Sequence, residues 1–129
     1  MFEILPNLAT CNIFESCTPE GWIIVDVRDL SDGEGNTIDA LVKKIELISN
    51  LLASGFKVCV RCQAGMSRSN TLACAAMMWC RIFDYWDECW KYVEQQCPRA
   101  LRIMPLHDDI KQALLKLGIL EDKLYEEKA

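Results

Sequence analysis

The chain has 129 residues, of which 51% are hydrophobic and 26% are charged, and these proportions are ordinary for one globular domain. Fourteen Lys and Arg against nineteen Asp and Glu give a formal net charge of -5, which argues against a nucleic-acid partner bound through a broad basic face. No apolar run approaches the roughly 20 residues of a membrane-spanning helix, and Met1-Phe2-Glu3 lacks the basic start of a secretory signal. We therefore expect one cytoplasmic domain over residues 1–129, with no membrane or nucleic-acid partner.

A strand, a helix and a second strand are predicted in this order between residues 22 and 60. The runs 22–27 and 57–60 are apolar, rich in β-branched residues and short enough for buried strands. Between them, apolar residues recur at three- and four-residue steps, and Gly55 stands where such a helix would end. The order predicts parallel strands joined by a right-handed crossover. The loop after the second strand would then lie at the carboxyl edge of the sheet, where ligands bind in such folds.

Directly after the second strand, five residues separate Cys62 from Arg68. They are Gln63, Ala64, Gly65, Met66 and Ser67. A thiol and a guanidinium at this spacing can face one centre only if the backbone between them curls, and Gly65 provides the conformational freedom for that curl. A helix that begins at Ser67 or Ser69 would direct its positive end at the same centre. The stretch predicts an anion-binding loop that carries a thiolate.

Two further helices are predicted beyond the helix that follows this loop. Asp84 is placed to cap the first of them, and Pro98 closes it. The last helix runs from about Leu106 to near Gly118, and residues 121–129 are expected to form a frayed tail.

Eight cysteines would suggest a disulfide framework in a small secreted chain, but nothing in the sequence indicates export, so we expect reduced thiols. Cys59 and Cys62 form a C-x-x-C, which could bind zinc or cycle as a redox pair. There is no second C-x-x-C, the single histidine, His107, is distant in sequence, and strand alternation points Cys59 away from Cys62. We expect no metal and no cofactor, and keep zinc or redox chemistry as the weaker alternative.

The stretch from Val58 to Ser69, VCVRCQAGMSRS, closely resembles the signature loop of cysteine-dependent dual-specificity protein phosphatases. The resemblance extends upstream through the crossover helix to residues 25–32, and more loosely downstream to Arg102. It implies a compact single-domain α/β phosphatase fold, with a central, mostly parallel mixed sheet of about four or five strands flanked by helices. It also implies hydrolysis of phosphotyrosine and, in a shallow pocket, of phosphoserine and phosphothreonine in a phosphorylated protein substrate. The reaction would pass through a cysteinyl-phosphate without a metal.

The resemblance assigns a role to each residue of the loop. Cys62 is the nucleophile, and the guanidinium of Arg68 together with the backbone amides of residues 63–68 holds the phosphate oxygens. Ser69 stabilises the departing thiolate when the intermediate is hydrolysed. Without that role, Ser69 would be a simple helix cap.

The general acid is less well defined by the sequence. In similar phosphatases it lies about thirty residues before the cysteine, which leaves Asp32, Asp29 and, less well, Asp26. We choose Asp32 because the Gly-containing segment 31–36 could close over a substrate, whereas Asp26 lies inside the predicted strand. Asp29 fits nearly as well, and Asp32 could instead only form a turn.

Arg61 departs from the family pattern, because this position before the nucleophile almost always holds histidine. An arginine carries a charge that favours the thiolate but lacks the acceptor nitrogen of a neutral imidazole. A thiolate held in a persistent ion pair with Arg61 could bind phosphate without turnover. Since Cys62, Arg68 and Ser69 are retained, we favour catalysis. A weak or inactive phosphate-binding pseudophosphatase is the alternative.

Overall fold

The strands of the protein form one mixed sheet in the computed structural model, which describes residues 1–14 and 20–125. Within this part of the chain the sheet has four strands in the order β1-β2-β4-β3. Strand β1 (Phe2–Leu5) is antiparallel to β2 (Leu8–Cys11), while β2 and β3 (Trp22–Asp26) both run parallel to the central β4 (Lys57–Arg61). The expected mostly parallel mixed sheet is confirmed.

The register of the three parallel strands brings their carboxyl ends to the same level. Arg61 pairs with Cys11 on one side and with Asp26 on the other. The middle of strand β4 is fully buried, with Val58, Cys59 and Val60 inaccessible to solvent. The sequence of a strand buried on both faces is a continuous apolar run, and the sequence of β4 has such a run. The chain therefore leaves the sheet at Cys62, between two neighbouring strand ends.

Five helices complete the described part of the chain. They are α1 (Ile38–Ala53), α2 (Arg68–Trp79), α3 (Trp86–Gln96), α4 (Met104–Lys116) and α5 (Glu121–Leu124). Helix α1 begins at the cap Thr37, whose side chain accepts a hydrogen bond from the amide of Ala40 at 3.1 Å. Helix α2 is buried on every side from Ser69 to Met78, which identifies it as the central helix of the core. No described helix is long and apolar enough to cross a bilayer.

The two faces of β4 contribute to two different clusters. Val58 and Val60 lie with the helices in the main hydrophobic core. Cys59 points to the other face, where it packs with Ala9 and Cys11. Because successive residues of a strand alternate between faces, neighbours in sequence here serve different surroundings.

Several details of the fold differ from the expectations. Strands β1 and β2 were not predicted, because four-residue strands are too short for a reliable period. The cap of α3 is Tyr85 and not Asp84, since the backbone becomes helical one residue later. The tail is not frayed throughout: α5 forms, and Leu124 is 2% exposed against the core. Residues 126–129 lie outside the described part.

Candidate active site

Cys62 lies at the carboxyl end of β4, at the start of a curled loop that we call the cradle (residues 62–68). Its Sγ atom lies 3.2 Å from the amide nitrogen of Gly65 and 3.3 Å from Oγ of Ser69. The backbone of Cys62 is fixed as well, because its amide donates to the carbonyl of Cys11 at 3.3 Å. With 1% of its surface exposed, the thiol sits at the bottom of the cradle. The Gly65 amide donates to Sγ, and the thiol in turn donates to Oγ of Ser69.

Gly65 makes the sharp curl of the cradle possible. Its φ of +68° lies in the left-handed region, which side chains disfavour. A Cβ atom at this position would lie 3.0 Å from the Asn12 amide nitrogen and 3.0 Å from a terminal nitrogen of Arg99. Both the backbone conformation and the space around it therefore require glycine.

The helix after the cradle directs its amino end at the same centre. Helix α2 begins at Arg68, and its cap Ser67 makes no side-chain capping bond. Ser69 is not the cap, which excludes that alternative role, and its hydroxyl lies instead against Sγ of Cys62. The positive end of the helix and the hydroxyl both stabilise negative charge at the cradle.

Arg68 links the cradle to a second loop, which we call the acid loop (residues 28–36). Its Nη1 donates to the carbonyls of Arg28 at 3.1 Å and of Leu30 at 3.0 Å. Its Nε lies 3.7 Å from Oδ2 of Asp32. The arginine is thus held in place by the loop that carries the candidate acids.

Of the three candidate acids, Asp32 is the one that contacts Arg68. Asp29 pairs with Lys44 at 3.3 Å. Asp26 accepts hydrogen bonds from Arg28 and from Arg61, and these bonds hold its pKa well below the usual range. A carboxyl that stays ionised is a poor proton donor. The geometry therefore favours Asp32 over both alternatives.

The acid loop has its own internal support. The side-chain amide of Asn36 accepts from the backbone amide of Ser31 at 2.8 Å and donates to its carbonyl at 2.6 Å. The hydroxyl of Ser31 accepts from the amide of Gly33 at 3.1 Å. These bonds form a clip across residues 31–36 and leave the Asp32 side chain 42% exposed.

Arg61 does not turn toward Cys62. It lies at the end of β4 in register with Asp26, and its Nη2 pairs with Oδ2 of Asp26 at 3.1 Å. Cys62 belongs to the main core on the other face of the sheet. The guanidinium of Arg61 therefore pairs with the Asp26 carboxylate, which it shares with Arg28, and this pairing argues against a thiolate trapped by Arg61.

The second cysteine of the C-x-x-C also points away from Cys62. Sγ of Cys59 lies 3.0 Å from Sγ of Cys11. The hydrogen bond from Cys59 lowers the pKa of Cys11 to about 7 and raises that of Cys59 well above its usual value. Among the residues that the structure describes, no three His, Cys, Asp or Glu side chains are grouped to hold a metal ion. Cys59 and Cys62 are not arranged as a pair.

His107 is a core residue, as its isolated position suggests. It is 1% exposed and lies edge-on to the rings of Trp86 and Trp90. Its Nε2 is 3.0 Å from the hydroxyl of Thr71 on α2. Burial, with the nearby charges of Arg102 and Lys111, lowers its pKa to about 3.

Comparison with known proteins identifies the family. Residues 8–113 match the sequence profile described as "Dual specificity phosphatase, catalytic domain". The chain belongs to the dual specificity phosphatase family. No curated protein sequence matches the chain.

Solved structures of phosphatases share the fold at low sequence identity. A mouse putative dual specificity phosphatase complexed with zinc tungstate superimposes with a TM-score of 0.78 at 17% identity, covering 98% of this chain and 92% of its own. Human DUSP28 gives a TM-score of 0.77 at 14% identity, with coverages of 91% and 97%. The human tyrosine phosphatase-like serine/threonine/tyrosine-interacting protein gives 0.70 at 21% identity, with coverages of 91% and 97%. At these identities the likeness shows the α/β fold alone.

One residue of the site was missed from the sequence. Asn70 donates hydrogen bonds to the carbonyls of Gly65 and Met66 at 3.2 Å and 2.8 Å. In the sequence it is one more polar residue near a helix start. The signal that could have found it is an asparagine on an otherwise buried helix, since such an amide needs partners.

Proposed function

We propose that the protein is a metal-independent phosphatase that hydrolyses phosphate monoesters of a phosphorylated protein through a cysteinyl-phosphate. The observation that carries this proposal is the position of Cys62 Sγ, at the bottom of a loop whose Gly65 amide and Ser69 hydroxyl both face it. Membership in the dual specificity phosphatase family supports the reaction class.

In the first step, the thiolate of Cys62 attacks phosphorus, so that an S–P bond forms as the P–O bond to the leaving group breaks. Backbone amides of residues 63–68 and the guanidinium of Arg68 hold the three remaining oxygens. Asp32, as a carboxylic acid, gives its proton to the leaving oxygen. Its contact with Arg68 lies at the edge of the same centre, which supports this role.

In the second step, water attacks the phosphocysteine and releases inorganic phosphate. The carboxylate of Asp32 takes a proton from the water, and the S–P bond breaks to return the thiolate. The hydroxyl of Ser69, 3.3 Å from Sγ, then donates a hydrogen bond to the sulfur as its charge reappears. The residues carry out both steps without a metal or cofactor.

The substrate proposed is phosphotyrosine, together with phosphoserine and phosphothreonine in proteins. The family description supports dual specificity. Met66, on the rim of the cradle, and Leu101, whose amide donates to the Met66 carbonyl at 3.0 Å, are 37% and 44% exposed. Such apolar side chains beside the cradle offer contacts to a peptide around the phosphorylated residue.

Phosphate release from p-nitrophenyl phosphate in the presence of a chelator tests the proposal. We expect turnover by the wild type and its loss in Cys62→Ser, because an alcohol is not ionised at neutral pH. Cys59→Ser is the matched control, since Cys59 lies on the opposite face of the sheet, and it should keep its activity. Loss of wild-type activity on chelation, or turnover by Cys62→Ser, would refute the mechanism.

A weak or inactive pseudophosphatase is the second candidate, because Arg61 stands where the family has histidine. The ion pair of Arg61 with Asp26 argues against a trapped thiolate and so favours catalysis. Arg61→His separates the two. If the parent is inactive and this variant turns over, the protein is a pseudophosphatase, whereas efficient turnover by the parent excludes that reading.

A further inference from the structure

Asn70 lies in the first turn of α2, and its side chain is wholly enclosed. Its Nδ2 donates to the carbonyl of Gly65 at 3.2 Å and to that of Met66 at 2.8 Å. Its Oδ1 accepts from the hydroxyl of Thr10 on β2 at 2.8 Å. Thr10 is also fully buried. One amide thus ties two successive peptide groups of the cradle to a neighbouring strand.

These bonds determine where the cradle amides point. The structure has no cis peptide bond in its described residues, and in a trans peptide the C=O and N–H groups point in opposite directions. The carbonyls of Gly65 and Met66 belong to the same peptide groups as the amides of Met66 and Ser67. When Asn70 holds the carbonyls on its side, those two amides face away from Asn70.

We propose that Asn70, oriented by Thr10, is a positioning residue that directs the amides of Met66 and Ser67 toward a tetrahedral oxyanion bound above Cys62. The inference rests on the proposed function for the identity of the anion, a phosphate monoester. It assigns Asn70 and Thr10 to anion binding, beyond the residues of the signature loop.

Thr10 connects the bonds of Asn70 to strand β2. The two cradle carbonyls can only accept, so Nδ2 faces them, and the Thr10 hydroxyl donates to Oδ1 at the other end of the amide. The backbone amide of Leu101 also donates to Met66, and Nε of Arg99 donates to Gly65 at 3.3 Å. Loss of Asn70 therefore leaves the carbonyls partly bonded. We expect a misaimed cradle in a folded protein.

Asn70→Asp and Asn70→Ala test the role with tungstate, an oxyanion that binds without turnover. The carboxylate of the Asp variant would face two carbonyl oxygens, so we expect tungstate affinity by calorimetry to fall by a factor on the order of 10 to 100. The Ala variant should lose about tenfold, since one donor group to each carbonyl is removed. Activity as kcat/KM on p-nitrophenyl phosphate should fall by similar factors.

Thr10 provides the rescue test. Thr10→Val removes the hydroxyl with little change in shape, and we expect a several-fold loss of tungstate affinity. Thr10→Ser keeps the hydroxyl and should bind tungstate about as the wild type does. A role in filling space alone would give the opposite pattern, because Val keeps the volume of Thr and Ser does not.

Thr71→Val is the matched control for stability. Thr71 follows Asn70 on α2, is equally buried, and bonds to His107 at 3.0 Å instead of to the cradle. The Thr71→Val variant should lose stability toward urea but keep its tungstate affinity.

The inference is overturned if Asn70→Asp binds tungstate like the wild type, if Thr71→Val loses affinity to the same extent, or if the wild type does not bind tungstate. If the wild type binds tungstate but does not turn over phosphate, the proposed function is refuted, and this inference is still supported when the Asn70 variants lose tungstate affinity.

Discussion

The cradle and the acid loop meet at Arg68, but they are held in very different ways. The cradle is bonded from β2, from α2 and from Leu101, and its nucleophile is 1% exposed. The acid loop is held by its own clip between Ser31 and Asn36 and by the bonds of Arg68 to its carbonyls, and the side chain of Asp32 is 42% exposed. The thiol of one half of the site is enclosed, whereas the candidate acid of the other half is open to solvent.

This difference separates two kinds of catalytic effect. In the proposed mechanism the cradle acts on the phosphoryl group, which is the same in every substrate. The acid loop acts in that mechanism on the leaving group, which varies. We therefore expect substitutions in the cradle to affect all substrates alike, and substitutions in the acid loop to depend on how much protonation the leaving oxygen needs.

Arg68→Lys should produce the largest effect among these variants. Lysine keeps the charge but cannot reproduce the planar fork or its bonds to the carbonyls of Arg28 and Leu30. We expect kcat/KM to fall by a factor on the order of 10³ for every substrate tested. Steady-state kinetics on an aryl and an alkyl phosphate measure this, and a loss confined to one of them would contradict the comparison.

Asp32→Asn should reduce kcat on an alkyl phosphate by about 10²-fold, because an alkoxide leaves poorly without a proton. The loss on p-nitrophenyl phosphate should be several-fold at most, since nitrophenolate needs little protonation. Asp29→Asn is the control, because Asp29 pairs with Lys44 on α1 and should keep its activity on both. If Asp29→Asn shows the leaving-group dependence instead, the general acid is Asp29.

Two glycines compare the regions directly. Gly65 in the cradle and Gly35 in the acid loop both have positive φ, at +68° and +107°. Each Gly→Ala change should cost roughly 1–2 kcal/mol of unfolding free energy by urea denaturation. A methyl group at Gly65 would also press on Asn12 and Arg99, whereas the space at Gly35 is open. Gly65→Ala alone should lose tungstate affinity, by about tenfold; an equal loss in Gly35→Ala would contradict the distinction.

Protonation of His107 should change the stability of the protein without changing the cradle or the acid loop. Its pKa is lowered to about 3 in the folded protein, so the unfolded chain takes up the proton first as pH falls. Its contribution is fully present above about pH 6.5 and should be lost progressively toward pH 3, by on the order of a few kcal/mol. Urea denaturation across this range should show a shallower pH dependence in His107→Gln. Equal slopes for the two proteins would contradict the assignment.

The same contrast explains what could be predicted from the sequence. The cradle residues are consecutive, so their spacing alone indicates an anion site with a nucleophile. The choice among Asp26, Asp29 and Asp32 depends on partners such as Lys44 and Arg61, which are distant in the chain and cannot be read from local pattern.

Register also determines the partner of Arg61. In the sequence Arg61 is next to Cys62, and proximity suggested an ion pair with the thiolate. The pairing of Arg61 with Asp26 across β3 and β4 directs its charge elsewhere. Asn70 was missed for a related reason, because its partners on β2 and in the cradle become visible only when the strands are aligned.

The central claim is that Cys62 forms a covalent bond to phosphorus, and rapid acid quenching during turnover tests it most directly. Peptide mass spectrometry of the quenched protein should find one phosphoryl group on the peptide that contains Cys62. The amount should rise in Ser69→Ala, because this variant lacks the hydroxyl 3.3 Å from Sγ that, in the proposed mechanism, stabilises the leaving thiolate. Continued turnover with no phosphoryl group on Cys62, or with the group on another residue, would contradict the account.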